Sequence, residues 1–594
     1  MPDADRTAYL ATLAPGSNLD LRGTTISEAH LRALLLACTD PSTGHPRFGG
    51  AVFQSAVFSG GAHFESAIFS GDAHFEFATF NGDANFRSVV FDKSAWFGSV
   101  IFHGDTSFES VTFSSITWFE FANFDREVTF RAAAFSKDVS FKWAAFRGDS
   151  WLERINFNGD ANFRSAIFDK SAWFEYTTFG GNANFRSAVF SGDVGYRSAT
   201  FGKGAWFESA IFSRDAGFES AEFDGLQHLG PLMCMGRAGF DEARFAGPQV
   251  TIEMAAREAS FDRVTFAGSV VVRLRYANVQ LTHATLGGPS AIQAWPMPFL
   301  VSGGQLPEVG LPGIAHSMGV RLLSLDGVDT AQLVLEDVDL TQCHFTGAFH
   351  LDQIQIGFGC AFAGPPSGWR RRSGRLPVRC SARKALAEEH HWRAQVGDSG
   401  WRQGPYHGLP GVGAGPEDLA GVYQRLRKAF EEAGNEPDAA DFYYGEMEMR
   451  RHDRSRPRAE RRLLWLYWLA SGYGLRASRA LSWLVAAMGV TLLAMMLLGL
   501  PNDSPNPETT GTYTAGTVKT VTKTPDPSLT LPWRKRVSVD RAEKGALVVV
   551  NSVVFRSSGQ NLTLPGTVIE MASRIGEPVL LGLAALAVRS RVKR

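Results

Sequence analysis

The chain has 594 residues, of which 44% are hydrophobic and 20% charged, and its formal net charge at pH 7 is −1. This length allows several domains, and the balanced charge gives no overall tendency to bind nucleic acid. Five widely spaced cysteines are typical of free thiols in a reducing compartment rather than of a disulfide framework. Because residues 1–5 contain neither a basic nor an apolar segment, we expect no secretory signal and a cytosolic N-terminal part.

Residues 1–48 contain one short helical pattern, which begins at Ser27 and continues to Leu36. Ser27 suits the N-terminal cap of such a helix. We predict that this segment covers the end of the repeat array that follows, because an uncovered end exposes strand edges and apolar rings.

Between Phe53 and Phe223 a large apolar residue returns after alternating intervals of five and six residues. A small residue often stands two positions earlier, as Ala62 does before Phe64. A helix would carry such a stripe around its surface, and a regular strand alternates every two residues, so neither fits. The spacing fits a coil with a corner every five or six residues, in which each side contributes one large and one small side chain to a shared interior.

The blocks at residues 62–66 and 67–70 resemble the pentapeptide-repeat family, here with a period of eleven residues. The resemblance implies a right-handed, four-sided β-helix with about 22 residues per coil, stacked at the inter-strand spacing of about 4.8 Å. Residues 49–225 then form roughly eight regular coils of this kind. Residues 82–97 recur almost verbatim at residues 159–174, which indicates duplication.

After the regular part the spacing of five and six residues becomes irregular, although pairs such as Phe240 with Phe245 and Phe261 with Phe266 persist. We interpret residues 226–356 as a degenerate continuation of the same β-helix. The predicted fold class is therefore mainly β: a right-handed quadrilateral β-helix, followed by a helical hairpin and transmembrane helices.

The residue before each inward Phe faces outward in this arrangement and carries the surface chemistry. Exposed aromatic residues can mark a partner surface, although single surface Trp residues are common. In some members of the family an acidic rod imitates DNA and binds topoisomerases, but arginines and lysines interrupt residues 51–225, so nucleic acid is not the expected partner. The candidate partner-facing residues, for a protein partner of unknown identity, are Trp96, Trp118, Trp173 and Trp206.

Residues 357–415 are rich in Gly, Pro and Arg and are interpreted as a basic linker. Its arginines, which include Arg383, are placed to contact anionic lipid, and a merely solvated linker is the alternative. Other arginines immediately precede the first apolar segment. The candidate lipid-facing basic residues are Arg370, Arg371, Arg372, Arg461 and Arg462.

Residues 416–452 predict two helices. Pro416 and an acidic first turn open the first helix, and Gly434 with Asn435 ends it. The pair resembles one tetratricopeptide-like helical hairpin, which is a scaffold element rather than a catalyst.

Residues 460–500 predict an interfacial segment and a first transmembrane helix. Residues 480–500 are almost purely apolar, which meets the requirement of about 20 residues for crossing a bilayer. The arginine-rich flank at residues 450–462 places the preceding chain in the cytoplasm. Residues 501–540, rich in Thr, Pro and Lys, are interpreted as an extracytoplasmic loop.

Residues 541–594 predict a short apolar helix and a second transmembrane helix at about residues 568–588, followed by a basic end. The first half of that helix carries Glu570, Arg574 and Glu577 on one face, where they can pair with one another. An in-plane helix is the alternative, because charges at membrane depth are costly. We expect a multi-pass membrane protein with two spans and both termini in the cytoplasm, and membrane helices of this kind also allow a homo-oligomer.

The order of these elements resembles the two-span, pore-loop arrangement of ion channels, to which some bacterial membrane proteins join pentapeptide repeats. Residues 555–565 contain no Thr-Val-Gly-Tyr-Gly filter, and no catalytic, metal or cofactor motif is recognised along the chain. The sequence therefore predicts a non-enzymatic, membrane-anchored scaffold or protein-interaction module on the cytoplasmic face. A channel-like protein gated by the repeats and a membrane-associated oxidoreductase are the alternatives.

Overall fold

The computed structural model of the protein describes residues 9–301, 303–308, 310–311, 319–366, 368–370, 378–379, 382–401, 413–502, 507–514, 516–523 and 525–592. The chain divides into two compact units, Met1–Gly413 and Ala414–Arg594. The first unit is a parallel β-solenoid and the second is helical.

The solenoid has about 14 turns, and each regular turn contributes four two-residue strands, which we call faces 1 to 4 in chain order. Face 1 holds Ile68–Phe69, Val90–Phe91, Thr112–Phe113, Ala134–Phe135, Asn156–Phe157, Thr178–Phe179, Thr200–Phe201 and Glu222–Phe223. Face 2 holds Ala73–His74, Ala95–Trp96, Thr117–Trp118, Val139–Ser140, Ala161–Asn162, Ala183–Asn184 and Ala205–Trp206. Face 3 holds Val57–Phe58, Thr79–Phe80, Ile101–Phe102, Asn123–Phe124, Ala145–Phe146, Ile167–Phe168, Val189–Phe190 and Ile211–Phe212. Face 4 holds Ala62–His63, Ala84–Asn85, Thr106–Ser107, Val128–Thr129, Ser150–Trp151, Ala172–Trp173, Val194–Gly195 and Ala216–Gly217.

The phenylalanines point inward, as predicted, and form continuous columns through the solenoid. Phe163, for example, is fully buried and stacks between Phe141 and Phe185, with ring centroids 4.8 and 5.0 Å away. Strands of successive turns pair in parallel with a regular offset, so that like residues stand above one another. The small residue of each unit is also buried, which leaves room for the rings at the four corners.

Two kinds of corner alternate, which explains the alternation of five and six residues. In the shorter corner a residue such as Ser66 has a left-handed backbone (φ 57°), and the N–H of Ala67 donates to the carbonyl of Phe64 at 3.0 Å. This is the geometry of a type II turn. In the longer corner an aspartate side chain accepts from a backbone N–H one turn later, as Asp83 does from Asp105 at 3.0 Å.

The first and last turns are irregular. Strands Ser17–Asp20 and Thr25–Ile26 pair with Arg47–Val52 and Val57–Phe58, and helix α1 (Glu28–Ala37) begins where Ser27 Oγ accepts from the N–H of His30. Beyond Phe223 the strands lengthen and the turns lose their even spacing. The later strands are His228–Gly239, Arg244–Phe245, Gln249–Ser260, Thr265–Phe266, Ser269–Arg275, Asn278–Gln280, Thr285–Leu286, Ser290–Ala294, Leu300–Val301, Gly304–Gln305, Arg321–Ser324, Leu333–Glu336, Gln355–Ile356, Trp369–Arg370 and Val378–Arg379.

Helix α2 (Ala387–Gln395) covers the last turns of the solenoid. Glu388 accepts hydrogen bonds from the backbone N–H groups of Phe345 and Thr346, at 2.6 and 3.1 Å. Arg383, which lies in the predicted basic linker, is instead buried and donates to Glu389 at 2.5 Å. A buried pair of this kind belongs to the protein interior, so Arg383 is not a lipid-facing residue.

The helical unit contains α3 (Pro416–Glu432), α4 (Glu436–His452), α5 (Arg458–Ser471), α6 (Ala477–Ala494) with a π-helical end (Met495–Gly499), α7 (Val539–Val553) and α8 (Leu564–Val592). A two-stranded hairpin (Glu508–Thr514, Thr517–Lys523) and a 3₁₀ turn (Trp533–Lys535) lie between α6 and α7. Two helical segments, Ala477–Gly499 and Leu564–Arg589, are long and apolar enough to cross a membrane. Only 22% and 28% of their most apolar stretches are buried, so the chain itself leaves most of this apolar surface uncovered.

Candidate functional site

On face 2, His74, Trp96 and Trp118 occupy the outward position of three successive turns. Their rings are nearly parallel, with centroids 4.2 Å apart between His74 and Trp96 and 5.2 Å apart between Trp96 and Trp118. The parallel register then places the small Ser140 next to Trp118. The stack therefore ends with one face of the Trp118 indole turned toward a small side chain.

Aromatic residues also stand in the corner that follows face 2. Phe121 and Trp143 have left-handed backbones, with φ of 58° and 56°, at a position where Ser165 and Ser187 stand in later turns. Their side chains are 56% and 47% exposed, and their rings stack at 4.9 Å. A bulky side chain in this region strains the backbone, and here it gains no burial in the core. This combination favours a role at the surface.

The remaining outward Trp residues lie in different surroundings. Trp173 is on face 4, where it stacks on Trp151 with centroids 6.3 Å apart. Trp206 is on face 2, but the guanidinium of Arg186 lies over its ring at 4.7 Å. The four candidate Trp residues therefore do not form one surface: Trp96 and Trp118 share a stack, and the other two are separate.

A second cluster joins the helical hairpin to the first apolar helix. Trp468 on α5 donates from Nε1 to the hydroxyl of Tyr444 on α4 at 3.0 Å, and the guanidinium groups of Arg451 and Arg479 lie 4.6 and 4.9 Å from its indole ring. Arg479 also donates to the carbonyl of Trp468 at 2.8 Å. Contacts from both sides thus fix α5 between α4 and α6.

The structure describes the side chains of only some of the predicted lipid-facing arginines. Arg461 donates from Nε to the carbonyl of Arg451 at 3.3 Å, and Arg462 is exposed on α5. Arg370 lies in the short strand Trp369–Arg370, and its side chain is outside the described part. Arg371 and Arg372 lie outside the described residues altogether.

The interior of the helical unit contains a buried carboxyl. Glu577 on α8 is 1% exposed, and its Oε1 accepts from the hydroxyl of Thr491 on α6 at 2.8 Å. Its Oε2 lies 2.6 Å from the hydroxyl of Ser552 on α7, which is also 2.8 Å from the carbonyl of Val549. The carboxyl joins three helices.

The other charged residues of α8 hold the segment that follows α7. Glu570 accepts from the backbone N–H of Ser558 at 2.8 Å, and Arg574 donates to the carbonyl of Phe555 at 2.9 Å. The charged face predicted on this helix therefore contacts protein groups.

The C-terminal end of the first apolar helix is capped by side chains. Arg541, which is 7% exposed, donates to the carbonyls of Met496, Leu500 and Pro501 at 2.7 to 2.9 Å. Arg536 donates to the carbonyl of Leu497 at 2.9 Å. The last carbonyls of a helix have no partner within it, so the arginines satisfy groups that would otherwise be costly to bury.

Comparison with protein families agrees with the geometry of the solenoid. A family model for pentapeptide repeats matches residues 44–90, 119–167, 152–195 and 174–222, with nine copies in all. The solenoid belongs to the pentapeptide-repeat family. No curated protein and no solved structure matches the chain. The family assignment therefore describes the regular part of the solenoid and not the helical unit.

Among the described residues, no three His, Cys, Asp or Glu side chains form a group that could hold a metal ion. Burial raises the pKa of the Cys234 thiol to about 12, and burial also raises the pKa of the Cys343 thiol. Thiols of this kind are poor nucleophiles at neutral pH.

Three further outward aromatic residues are not among the predicted partner-facing residues: Trp151, Phe121 and Trp143. The signal for Trp151 is present, because it precedes Leu152, which fills a Phe slot. The signal for Phe121 and Trp143 is an aromatic residue two positions after the inward Phe, where most units have Ser.

Proposed function

We propose that this protein is a non-enzymatic, membrane-anchored scaffold whose pentapeptide-repeat solenoid binds a protein partner on the cytoplasmic face of the membrane. The observation that carries the proposal is one chain that joins a long solenoid with outward aromatic stacks to two helices whose apolar surface it leaves uncovered. Repeats of this kind offer extended surfaces for recognition.

The solenoid has the properties of a rigid binding surface. Its core is made of stacked rings and its strands are paired along the length, so an outward side chain is held in a fixed place. Trp and Arg residues often dominate the energetics of protein interfaces, and Phe is also enriched there. Trp96, Trp118 and the exposed Phe121 and Trp143 are the partner-facing residues that we favour.

The helical unit supplies the anchor. Exposed apolar residues lie along both candidate spans, and α5 exposes Leu463 and Leu466 next to Arg462. A helix with an apolar side and nearby arginines suits the boundary between lipid and water. We assign Arg461 and Arg462 to the headgroup region, and Arg370, Arg371 and Arg372 stay candidates for contact with anionic lipid.

The orientation follows from the basic flanks. Arginines near α5 and at the C-terminal end favour the cytoplasmic side. The basic residues of the intervening segment count against this orientation, but most of them lie far from the first span: Lys519, Lys523, Arg534, Lys535 and Arg536. Arg536 and Arg541 also donate to backbone carbonyls at the end of the first apolar helix. Both termini and the solenoid then lie in the cytoplasm.

The anchor is tested by washing membranes with alkaline carbonate and measuring the protein in the pellet. We expect the protein to stay in the pellet. Val490 is 66% exposed on α6, and Val490→Glu should reduce retention in the pellet because a lipid-facing charge is costly. Val521 is 62% exposed in the two-stranded β-hairpin, and Val521→Glu should leave retention unchanged. Release of the unaltered protein by the wash would contradict the anchor.

The scaffold role is tested by cross-linking in intact cells. A photoreactive phenylalanine at Phe121 should give a discrete cross-linked partner, whereas the same group at Ser187, the equivalent corner two turns beyond Trp143, should give less. Equal labelling at the two corners, or none, would contradict a partner surface at the aromatic residues.

A channel-like function is the second candidate, and the arrangement of α7 favours it. This short helix lies between the two candidate spans, and Glu570 and Arg574 hold the segment after it. Several copies around an axis could enclose a path for ions. Recordings from planar bilayers test the idea, and the absence of single-channel currents across a range of ions and voltages would exclude it.

A further inference from the structure

Two places on the solenoid show the same group of three outward side chains. The guanidinium of Arg131 lies 4.4 Å from the ring centroid of Trp151, and its Nε donates to Glu153 at 2.9 Å. Arg186 lies over Trp206 at 4.7 Å, and its Nε is 3.3 Å from Glu208. In both places the Arg stands 20 positions before the Trp, which is two residues short of one turn. The Glu stands two positions after the Trp.

A third group has the same spacing but lacks the arginine. Gly98, Trp118 and Glu120 stand where Arg186, Trp206 and Glu208 stand in the other group. A Cβ atom added to Gly98 would meet only the carbonyl oxygen of Glu120, at 3.8 Å, so the space above Gly98 is open.

The surroundings of Glu120 leave room for a cation. Trp96 covers one face of Trp118, and the other face is turned toward the small Ser140. Glu120 accepts from Ser140 Oγ at 2.7 Å, and its nearest cation is Lys142, whose Nζ is 3.6 Å away. This contact is longer than the charge-assisted bond between Arg131 and Glu153.

We infer that Glu120 and the free face of Trp118 bind an arginine side chain from a partner protein. The inference rests on the proposed scaffold function and specifies the chemistry of the partner. Arginine fits better than lysine, because its planar guanidinium can stack on an indole and donate two bonds to one carboxylate. In the solenoid itself, an arginine lies over the indole and next to a carboxylate both at Trp151 and at Trp206. The exposed Phe121 and Trp143 beside Glu120 give the same arginine further aromatic contact.

The test uses the full-length protein in detergent micelles and a synthetic peptide of five Gly-Arg units, with binding measured by calorimetry. Peptides in which lysine or citrulline replaces arginine are the matched probes, since citrulline keeps the planar shape without the charge. We expect the arginine peptide to bind at least about tenfold more tightly than the citrulline peptide.

Variants locate the site. Glu120→Gln and Trp118→Ala should each weaken binding of the arginine peptide about tenfold. Gly98→Arg should also weaken it, because an arginine from the chain itself then competes for Glu120, and the open space at Gly98 allows the change without loss of the fold. Trp206→Ala is the control, since Arg186 already covers that ring, and it should leave binding unchanged.

Equal binding of the arginine and citrulline peptides, or binding that Glu120→Gln and Gly98→Arg leave unchanged, would overturn the inference. The scaffold proposal fails in a different way. A protein that stays in the membrane and cross-links a partner through Phe121, but ignores the arginine peptide, refutes only the arginine site. A protein released by the carbonate wash refutes the anchor whatever the peptide does.

Discussion

The columns of rings inside the solenoid predict a large cost for removing one of them. Phe163 is fully buried and contacts five other rings, two stacked and three tilted or edge-on. A buried aromatic side chain removes roughly 150–250 Å² from water, worth about 4–6 kcal/mol at ~25 cal/mol per Å². Alanine keeps part of this burial and leaves a cavity, so we expect Phe163→Ala to cost about 3–5 kcal/mol.

The neighbouring Asn162 is the matched control. It points outward, and its Oδ1 accepts from the backbone N–H of Arg164 at 3.1 Å. Asn162→Ala removes one partly exposed hydrogen bond and should cost about 1 kcal/mol or less.

The assay is hydrogen exchange followed by mass spectrometry on the full-length protein. Turns of a solenoid contact only their neighbours, so the loss should appear locally, in peptides that cover residues 141–185. A loss of about 4 kcal/mol raises exchange nearly a thousandfold where it occurs through opening of these turns, because each 1.4 kcal/mol is a factor of ten. Similar exchange in Phe163→Ala and Asn162→Ala would refute the inward position of the phenylalanine.

Three further predictions concern the buried groups. Glu577→Leu should lower the free energy of unfolding of the helical unit by about 1–3 kcal/mol, because the Thr491 hydroxyl loses its acceptor and the Ser552 hydroxyl loses one of its two partners, whereas Glu577→Gln, which can both accept and donate, should be nearly neutral. Gly566→Ala should separate α6 from α8, since the added Cβ would lie 2.4 Å from the carbonyl oxygen of Gly499; Gly582→Ala, which meets nothing within 4 Å, is the control, and equal melting temperatures would contradict this packing. The raised pKa of Cys234, about 12 in the folded protein, predicts slow alkylation at pH 9 and a stabilising contribution that is present at neutral pH and lost as the pH rises toward 12; rapid alkylation of the folded protein would contradict its burial.

The solenoid could be predicted because a short sequence repeat determines its fold. One large and one small residue per side determine which side chains are inward, and the repeat places each turn on the one before. The surface could be predicted only in part. Periodicity marks Trp96 and Trp118 as outward, but it does not show that Arg186 covers Trp206 while Gly98 leaves Glu120 without an arginine.

The helical unit shows why local pattern is insufficient elsewhere. The spacing of Glu570, Arg574 and Glu577 suggests pairing along one helix, yet each is held by a group on or after another helix. Arg383 lies in a segment whose composition is typical of a solvated linker, but it is buried in an ion pair with Glu389. Partners of this kind depend on tertiary packing, which a single sequence does not specify.

The position of the solenoid relative to the membrane is the central claim, and cysteine labelling in intact cells tests it most directly. Cys38, Cys234, Cys343 and Cys360 are buried, so introduced cysteines in a Cys380→Ser background report the topology. Tyr513→Cys lies in the hairpin between the two apolar helices, 77% exposed, and Ser110→Cys lies on an exposed corner of the solenoid. We expect an impermeant maleimide to label Tyr513→Cys in intact cells and Ser110→Cys only after lysis. Labelling of Ser110→Cys in intact cells, or of Tyr513→Cys only after lysis, would contradict a cytoplasmic solenoid held by two spans.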